Sequence, residues 1–248
     1  MGKYSLSKGI QNAFFNLKWR CNVCDKENFN GDYFCNECLN SLPIIKEYKC
    51  EHCGRLTAYS TNYCDSCIEK NINFDKARSL FSYEEPIDTL IQNLKYNSKL
   101  YLAEIFADLF VESFLTNFPD TDYITFVPST KMTIKERGYN QSEILADKLS
   151  KKTGIKVLST AKKVKDTERQ ATLNAEERRK NLQGVFKIND VDIKGKNLLI
   201  VDDVLTTGTT VDVFAKLLKK KKVCKVYVLT VASVSKTKFK SIKNSENI

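Results

Sequence analysis

Eight of the nine cysteines lie between residues 21 and 67, and they repeat. Cys21, Cys24, Cys35 and Cys38 recur as Cys50, Cys53, Cys64 and Cys67, each displaced by 29 positions, so that each copy reads C-x2-C-x10-C-x2-C. A CxxC pair lets a tight turn aim two thiolates at one tetrahedral Zn2+, and two facing knuckles complete a four-thiolate site. Disulfides are the competing reading. They suit secreted chains, whereas the first residues, MGKYSLSKGIQNAFFNLKWRC, carry no apolar signal-peptide stretch. A redox CxxC stands alone beside a βαβ unit and does not occur four times. The repeat therefore predicts two sequential ribbons, each with its own structural Zn2+, with an interleaved arrangement as the alternative. His52, inside the second knuckle, is expected to be an exposed bystander and not a ligand. Cys224 is expected to be a small buried hydrophobe within a strand.

The remaining composition narrows the function classes. A chain of 248 residues with 42% apolar and 28% charged residues can bury a core as one large domain or two unequal ones. Its apolar runs fall short of the roughly 20 residues needed to span a bilayer, so a soluble, cytoplasmic protein with no membrane span is expected. Leu6 breaks the myristoylation pattern. With a single histidine, HExxH metalloproteases are excluded, and a Ser-His-Asp triad would need a residue wedged in a Cys-rich knuckle.

The net charge of +10 is unevenly spread. Residues 1–75 hold nine basic and nine acidic side chains, residues 129–187 fifteen and seven, and residues 216–248 ten and one. Two zinc centres of four thiolates would each add about −2, making the N-terminal module acidic and ill-suited to hold DNA alone. The lysines at 216–222 suit a helix C-terminus, and 235–248 reads as a basic disordered tail. The 129–187 surplus is compatible with attraction of nucleic-acid phosphates or with a solvated face.

The clearest chemistry lies near the C-terminus. LLIV (198–201) reads as a buried parallel strand, followed by Asp202-Asp203, then Thr206-Thr207-Gly208-Thr209-Thr210, then the helical pattern VDVFAKLLKKK. Backbone N–H groups and hydroxyls at such a turn converge on one point, and the helix dipole favours an anion there. Carboxylates at the C-terminal end of a parallel strand stand where open α/β sheets bind ligands, and can accept from sugar hydroxyls or hold Mg2+. The competing reading is a helix cap, but capping needs one such residue, not six. The loop asks for a sugar phosphate.

IVDDVLTTGTT resembles the phosphoribosyl-pyrophosphate (PRPP) signature of type I phosphoribosyltransferases. The Cys repeat, SYEEPIDTLIQNLKYNSK (82–99), FVPSTKMTIKERGYNQSEILA (126–146) and DTERQATLNAEERRKNLQGVF (166–186) resemble the ComF/GntX group of that superfamily, competence-associated proteins linked to DNA uptake. The resemblance spans roughly residues 20–232. It implies that Asp202 and Asp203 contact ribose hydroxyls or Mg2+, and that Thr206, Thr207, Gly208, Thr209 and Thr210 cradle the 5′-phosphate. Ser129, Thr130 and Lys131 would stand in the place of the pyrophosphate loop, with Arg137 and Lys95 as further phosphate contacts. Residues 162–186, with Lys163, Lys165, Arg169, Arg178 and Arg179, would match a mobile loop that closes over PRPP. Asn140, Gln141 and Gln170 are read as turn or cap residues.

The expected architecture is α/β, a doubly wound parallel sheet of the type I phosphoribosyltransferase kind (76–234), preceded by a double zinc-ribbon module (1–75) and followed by the tail (235–248). Strands are expected at Arg78–Tyr83, Ile124–Val127, Val157–Ser159, Val185–Ile188, 198–203 and 223–232. Helices are expected at Ile87–Tyr96, Leu102–Phe118, Asn140–Thr153 and 209–222. Three functions fit this layout: a ComF-type protein supporting DNA uptake or recombination while binding PRPP with Mg2+; a metabolic phosphoribosyltransferase; and a module whose sugar-phosphate pocket holds a single-strand end. Lys162, Lys163, Lys165 and Arg169 are the candidate single-stranded DNA contacts, and DNA-uptake or recombination proteins the candidate partners. Cys21 is not N-terminal, which excludes a complete glutamine-using amidotransferase.

Overall fold

The strand Asn197–Leu205 contains Leu198, Leu199, Ile200 and Val201, none with any exposed surface. A strand apolar on both faces must be sandwiched, and parallel sheets provide that setting. The computed structural model describes residues 19–46, 48–70, 72–165 and 184–234. Its elements run α1 (Asn36–Ser41), α2 (Asp65–Lys70), β1 (Lys76–Ser82), α3 (Ile87–Tyr96), α4 (Tyr101–Asn117), β2 (Tyr123–Phe126), α5 (Lys131–Arg137), α6 (Gln141–Thr153), β3 (Ala161–Lys163), β4 (Phe186–Ile188), β5 (Asn197–Leu205), α7 (Thr209–Lys220) and β6 (Lys225–Ser233). The main sheet has the order β1-β6-β5-β2 and is parallel throughout. Leu198 and Ile200 share a core with Val211, Phe214, Ala215 and Leu218 of α7. Strand periodicity turns the intervening Leu199 and Val201 to the opposite face, where α4 and α6 pack on the sheet. The sheet is therefore doubly wound.

The chain divides into two compact units, Met1–Leu42 and Pro43–Ile248. Within the first, Cys21 N donates to Lys26 O and Asn22 N to Tyr33 O, closing a knuckle, and Phe34 is buried. Within the second, the Cys50–Cys67 knuckles lie against the β1 edge of the sheet. Ala77 N donates to His52 O at 2.7 Å, and Arg78 pairs with the Glu51 carboxylate and donates to its carbonyl. Gly54 has φ +69°, and a Cβ there would stand 2.6 Å from Ala77 O, so only glycine permits this approach.

Several boundaries depart from the expectations. Residues 157–159 form one bridge, Ile124 to Val157, and no strand. β4 instead pairs antiparallel with β3, a two-stranded root on either side of residues 166–183 in sequence. Cys224 is exposed and precedes β6, which corrects its assignment as a buried strand residue. His52 is half-buried, stacked on Phe74 at 5.3 Å, and not an exposed bystander. Helix α5 occupies what reads as a loop after β2. Thr130 caps it by accepting from Thr133 N, and Gly138 ends it at φ +88°. No helix among the described residues is long and apolar enough to cross a membrane.

Candidate phosphate pocket and metal centres

The C-terminal end of β5 delivers Asp202 and Asp203, and the chain turns through residues 206–208 into α7. Gly208 precedes the first turn at φ +79°, a left-handed conformation that disfavours side chains. The Thr207 and Thr209 hydroxyls bond each other at 2.8 Å, and Thr209 N donates to Thr207 Oγ1 at 3.3 Å. Thr206 is exposed, while Thr207 and Thr210 are half-buried. The first N–H groups of a helix have no intrahelical acceptor, so this turn is a ready anion cradle.

The two carboxylates have different surroundings. Ser142, buried at the start of α6, donates from Oγ to Asp202 Oδ1 at 2.7 Å. Burial pushes the Asp202 carboxyl up to about 7, with the Asp203 charge adding to it and Ser142 and Lys95 opposing. Asp203 is buried and ion-paired with Lys95 from the last turn of α3, and its Oδ1 accepts from Val204 N at 2.9 Å. Burial works to lower the Lys95 pKa, but Asp203 and Asp202 overcome it and hold the ammonium above the ordinary lysine value. Beyond that ion pair, Asp203 Oδ2 has no hydrogen-bond donor among the described residues. A dense carboxylate pair with an acceptor to spare fits Mg2+ or a hydroxyl donor.

The segment Arg137–Ser142 assembles the opposite wall. Arg137 bonds Gln141 Oε1 and lies 4.9 Å over the Tyr96 ring. Tyr139 OH donates to Leu94 O, fastening the segment to α3. Asn140 caps α6 and donates to Val127 O at 3.0 Å, fastening it to the end of β2. Lys95, Tyr96, Ser98, Thr133, Glu136 and Arg137 line an adjacent cleft of about 210 Å3. Of the turn after β2, Ser129 is half-buried, Thr130 spends its hydroxyl on capping α5, and exposed Lys131 is the first residue of that helix, not a loop residue. Lys162 and Lys165 are exposed at the β3 root, with Lys163 half-buried between them. Arg169, Gln170, Arg178 and Arg179 lie outside the described residues.

Two groups of four thiols form among the described residues: Cys21, Cys24, Cys35 and Cys38, and Cys50, Cys53, Cys64 and Cys67. The grouping is sequential, as the repeat predicts, and not interleaved. The Sγ atoms of Cys50 and Cys67 stand 3.8 Å apart, those of Cys53 and Cys64 3.7 Å, and those of Cys24 and Cys35 3.8 Å. Thiolates around a tetrahedral zinc with Zn–S near 2.3 Å stand about 3.8 Å apart. The donor set fits structural zinc. Burial raises the Cys21 thiol, but backbone N–H groups of Cys24, Cys35 and Val23 prevail and bring it down to about 6. Cys50 is drawn down by the neighbouring Cys53, Cys64 and Cys67 thiols. His52 belongs to neither group.

The phosphoribosyl transferase domain model matches residues 127–247, and the double zinc ribbon domain model matches residues 13–68. Competence protein F of Haemophilus influenzae is 30% identical over 196 residues, covering 75% of this chain and 82% of its own length. The chain belongs to the competence protein F family. Other members include DNA utilization protein YhgH of Escherichia coli K12, 30% identical over 74% of this chain and 83% of its own. Competence protein ComFC of Bacillus subtilis is 24% identical over 79% and 82%. Among solved structures, an adenine phosphoribosyltransferase aligns with 60% of this chain and 79% of its own at 18% identity and a TM-score of 0.38. The sheet topology and the domain match, not that alignment, carry the fold.

Sequence reasoning missed three residues that the fold of this competence protein F family member brings to the pocket. Ser142 holds Asp202. Arg55, from the second Cys repeat, donates to the Thr206 carbonyl at 2.6 Å. Asn73 donates from N and Nδ2 to Asp212 in the first turn of α7. A signal existed for Arg55, the sole charged residue of the spacer 54–63.

Proposed function

We propose that this chain binds PRPP with Mg2+ at the end of β5 and acts in the uptake or processing of transforming DNA. The observation that carries the ligand is the placement of Asp202 and Asp203 directly before the 206–210 turn, one carboxylate steadied by Ser142 and the other by Lys95. In this reading residues 206–210 hold the 5′-phosphate. Asp202 and Asp203 face the ribose hydroxyls or the metal. Ser129 and Thr130, with Lys131 at the start of α5 and Arg137 at its end, face the diphosphate. Mg2+ supplies neutralisation of the diphosphate charge when bound. The chain's own residues orient the ribose and keep the carboxylate pair from collapsing by mutual repulsion, since Lys95 balances one charge. Membership beside proteins named for competence and for DNA utilization supports the biological half of the proposal.

Thermal unfolding with PRPP·Mg2+ against unfolding with single-stranded DNA tests it, because a ligand of the native state alone raises the midpoint. A rise with PRPP·Mg2+ that vanishes without the metal is expected. Loss of the gene should lower transformation and leave growth on purine-free medium unchanged. The reverse phenotype identifies a metabolic transferase.

A further inference from the structure

The two copies of the cysteine repeat share their cysteines but differ in the residues between them, and the difference matters most in the two residues after the first CxxC of each. Asp25-Lys26 follows the first CxxC, and Gly54-Arg55 follows the second. Asp25 and Gly54 both take positive φ, 59° and 69°, so the knuckle backbone is shared. The basic residues that follow are not equivalent. Lys26 is an exposed cation paired with Glu37 at 3.2 Å, whereas Arg55 is only 8% exposed.

Arg55 reaches the phosphate turn. Its Nη2 bonds the Thr206 carbonyl at 2.6 Å and lies 3.2 Å from where a Gly208 Cβ would stand. Its Nε is buried without a hydrogen-bond partner among the described residues. A guanidinium is always charged, and burying it with a donor unused is costly unless an anion complements it. Two further links join the same module to the same helix start. Asn73 makes two bonds to Asp212 Oδ1, at 2.6 and 2.9 Å. Cys50, Cys53 and Cys67 share one core with Leu205, Val211 and Phe214.

We propose that zinc at Cys50, Cys53, Cys64 and Cys67 and a phosphate group on the 206–210 turn bind cooperatively, with Arg55 as the positioning residue between them. The proposal rests on the reading of that turn as the phosphate site. Metal fixes the knuckle, and the knuckle fixes Arg55. Arg55 then holds the Thr206 carbonyl back from the cradle and adds a positive charge beside the N-terminus of α7. Linkage requires the reciprocal effect, so bound phosphate strengthens zinc binding at this centre by the same factor.

The test compares full-length, zinc-loaded wild type with Arg55→Ala and Arg55→Lys. PRPP·Mg2+ affinity is measured by calorimetry, and zinc affinity by equilibrium competition with a chromophoric chelator, with and without PRPP·Mg2+. In the wild type, ligand should tighten one of the two zinc ions by about tenfold. Arg55→Ala should weaken PRPP·Mg2+ by a similar factor and abolish the zinc response, and Arg55→Lys should restore part of both. Should Arg55→Ala fail to fold, Arg55→Lys and Arg55→Gln carry the comparison. A wild type that binds PRPP·Mg2+ while its zinc affinity ignores the ligand overturns the coupling alone, as does unchanged affinity in Arg55→Ala. A wild type that binds neither PRPP·Mg2+ nor inorganic phosphate overturns both the coupling and the pocket.

Discussion

Ser142 donates to Asp202 at 2.7 Å across 60 residues of sequence, tying the first turn of α6 to the end of β5. That bond opposes the burial and the Asp203 charge that raise the Asp202 carboxyl to about 7. Asp202 therefore gains its charge near neutrality, and the affinity for a divalent cation and its sugar phosphate should rise with pH through about 7. Ser142→Ala should move that rise to higher pH. Asp202→Asn should remove this component and leave only the titration of the ligand itself. Calorimetric titrations of PRPP·Mg2+ across pH decide it; identical profiles for wild type and Asp202→Asn would refute the assignment.

The same group sets a pH dependence of folding. Its native pKa is raised from 3.8 to about 7, so its contribution to stability is fully present below 3.8 and is lost as pH rises through about 7. Urea unfolding of Asp202→Asn should show a flatter decline than wild type between about pH 4 and pH 7.

Lys95 and Asp203 form a mostly buried pair, with side chains 20% and 7% exposed. Removing one partner strands the other charge. Lys95→Met should destabilise the chain by about 2–3 kcal/mol, less than a fully buried pair because Lys95 retains some water contact. Lys95→Met combined with Asp203→Leu should recover much of the loss in a double-mutant cycle. Additive losses would show that the pair is not coupled.

Purified protein should carry two zinc ions, and the two centres should differ in consequence. Cys53 is 1% exposed within the core that contains Val211 and Phe214, whereas Cys24 is exposed in the smaller unit. Cys53→Ser should cost about 3 kcal/mol or more in the unfolding of Pro43–Ile248. Cys24→Ser should lose one zinc and leave that transition in place. Disulfides without metal, found by mass spectrometry, would defeat both expectations.

Lys162 stands directly across from Lys187 in the β3–β4 ladder, a like-charge pair that a bound anion would relieve. Changing Lys162, Lys163 and Lys165 to Gln should weaken single-stranded DNA binding and flatten its logarithmic salt slope by about 0.7 per lost phosphate contact. Deletion of residues 235–248 separates this from binding by the C-terminal segment. An unchanged slope in the triple variant would exclude these lysines as phosphate contacts.

What was legible in the sequence was whatever had a short period or a fixed spacing. Ile87–Tyr96 follows from its apolar stripe, whose Ile87, Leu90, Ile91 and Leu94 are all buried. Both thiol clusters follow from the 29-residue shift. Helix α5 did not, because none of its residues is buried and Met132 and Ile134 are exposed, so no apolar stripe marks it. Only Thr130 and Gly138, its two caps, could have revealed it. Ser142, Arg55 and Asn73 were invisible for another reason. Their partners lie 60, 151 and 139 residues away, and a single sequence carries no trace of which distant carbonyl or carboxylate a side chain will meet.

The lack of room for a side chain at Gly54, where a Cβ would meet the Ala77 carbonyl at 2.6 Å, means the two ribbons, though copies in spacing, are no longer interchangeable parts. A crossover that placed the first copy in the second's position would set an aspartate against β1. A fragment trimmed to begin at β1 would fare no better: β1 is the outermost strand, and it would present bare hydrogen-bonding groups and an uncovered apolar face to other molecules of its kind. Anyone expressing the transferase-like half separately should cut between Leu42 and Pro43, and so inherit one zinc centre with it.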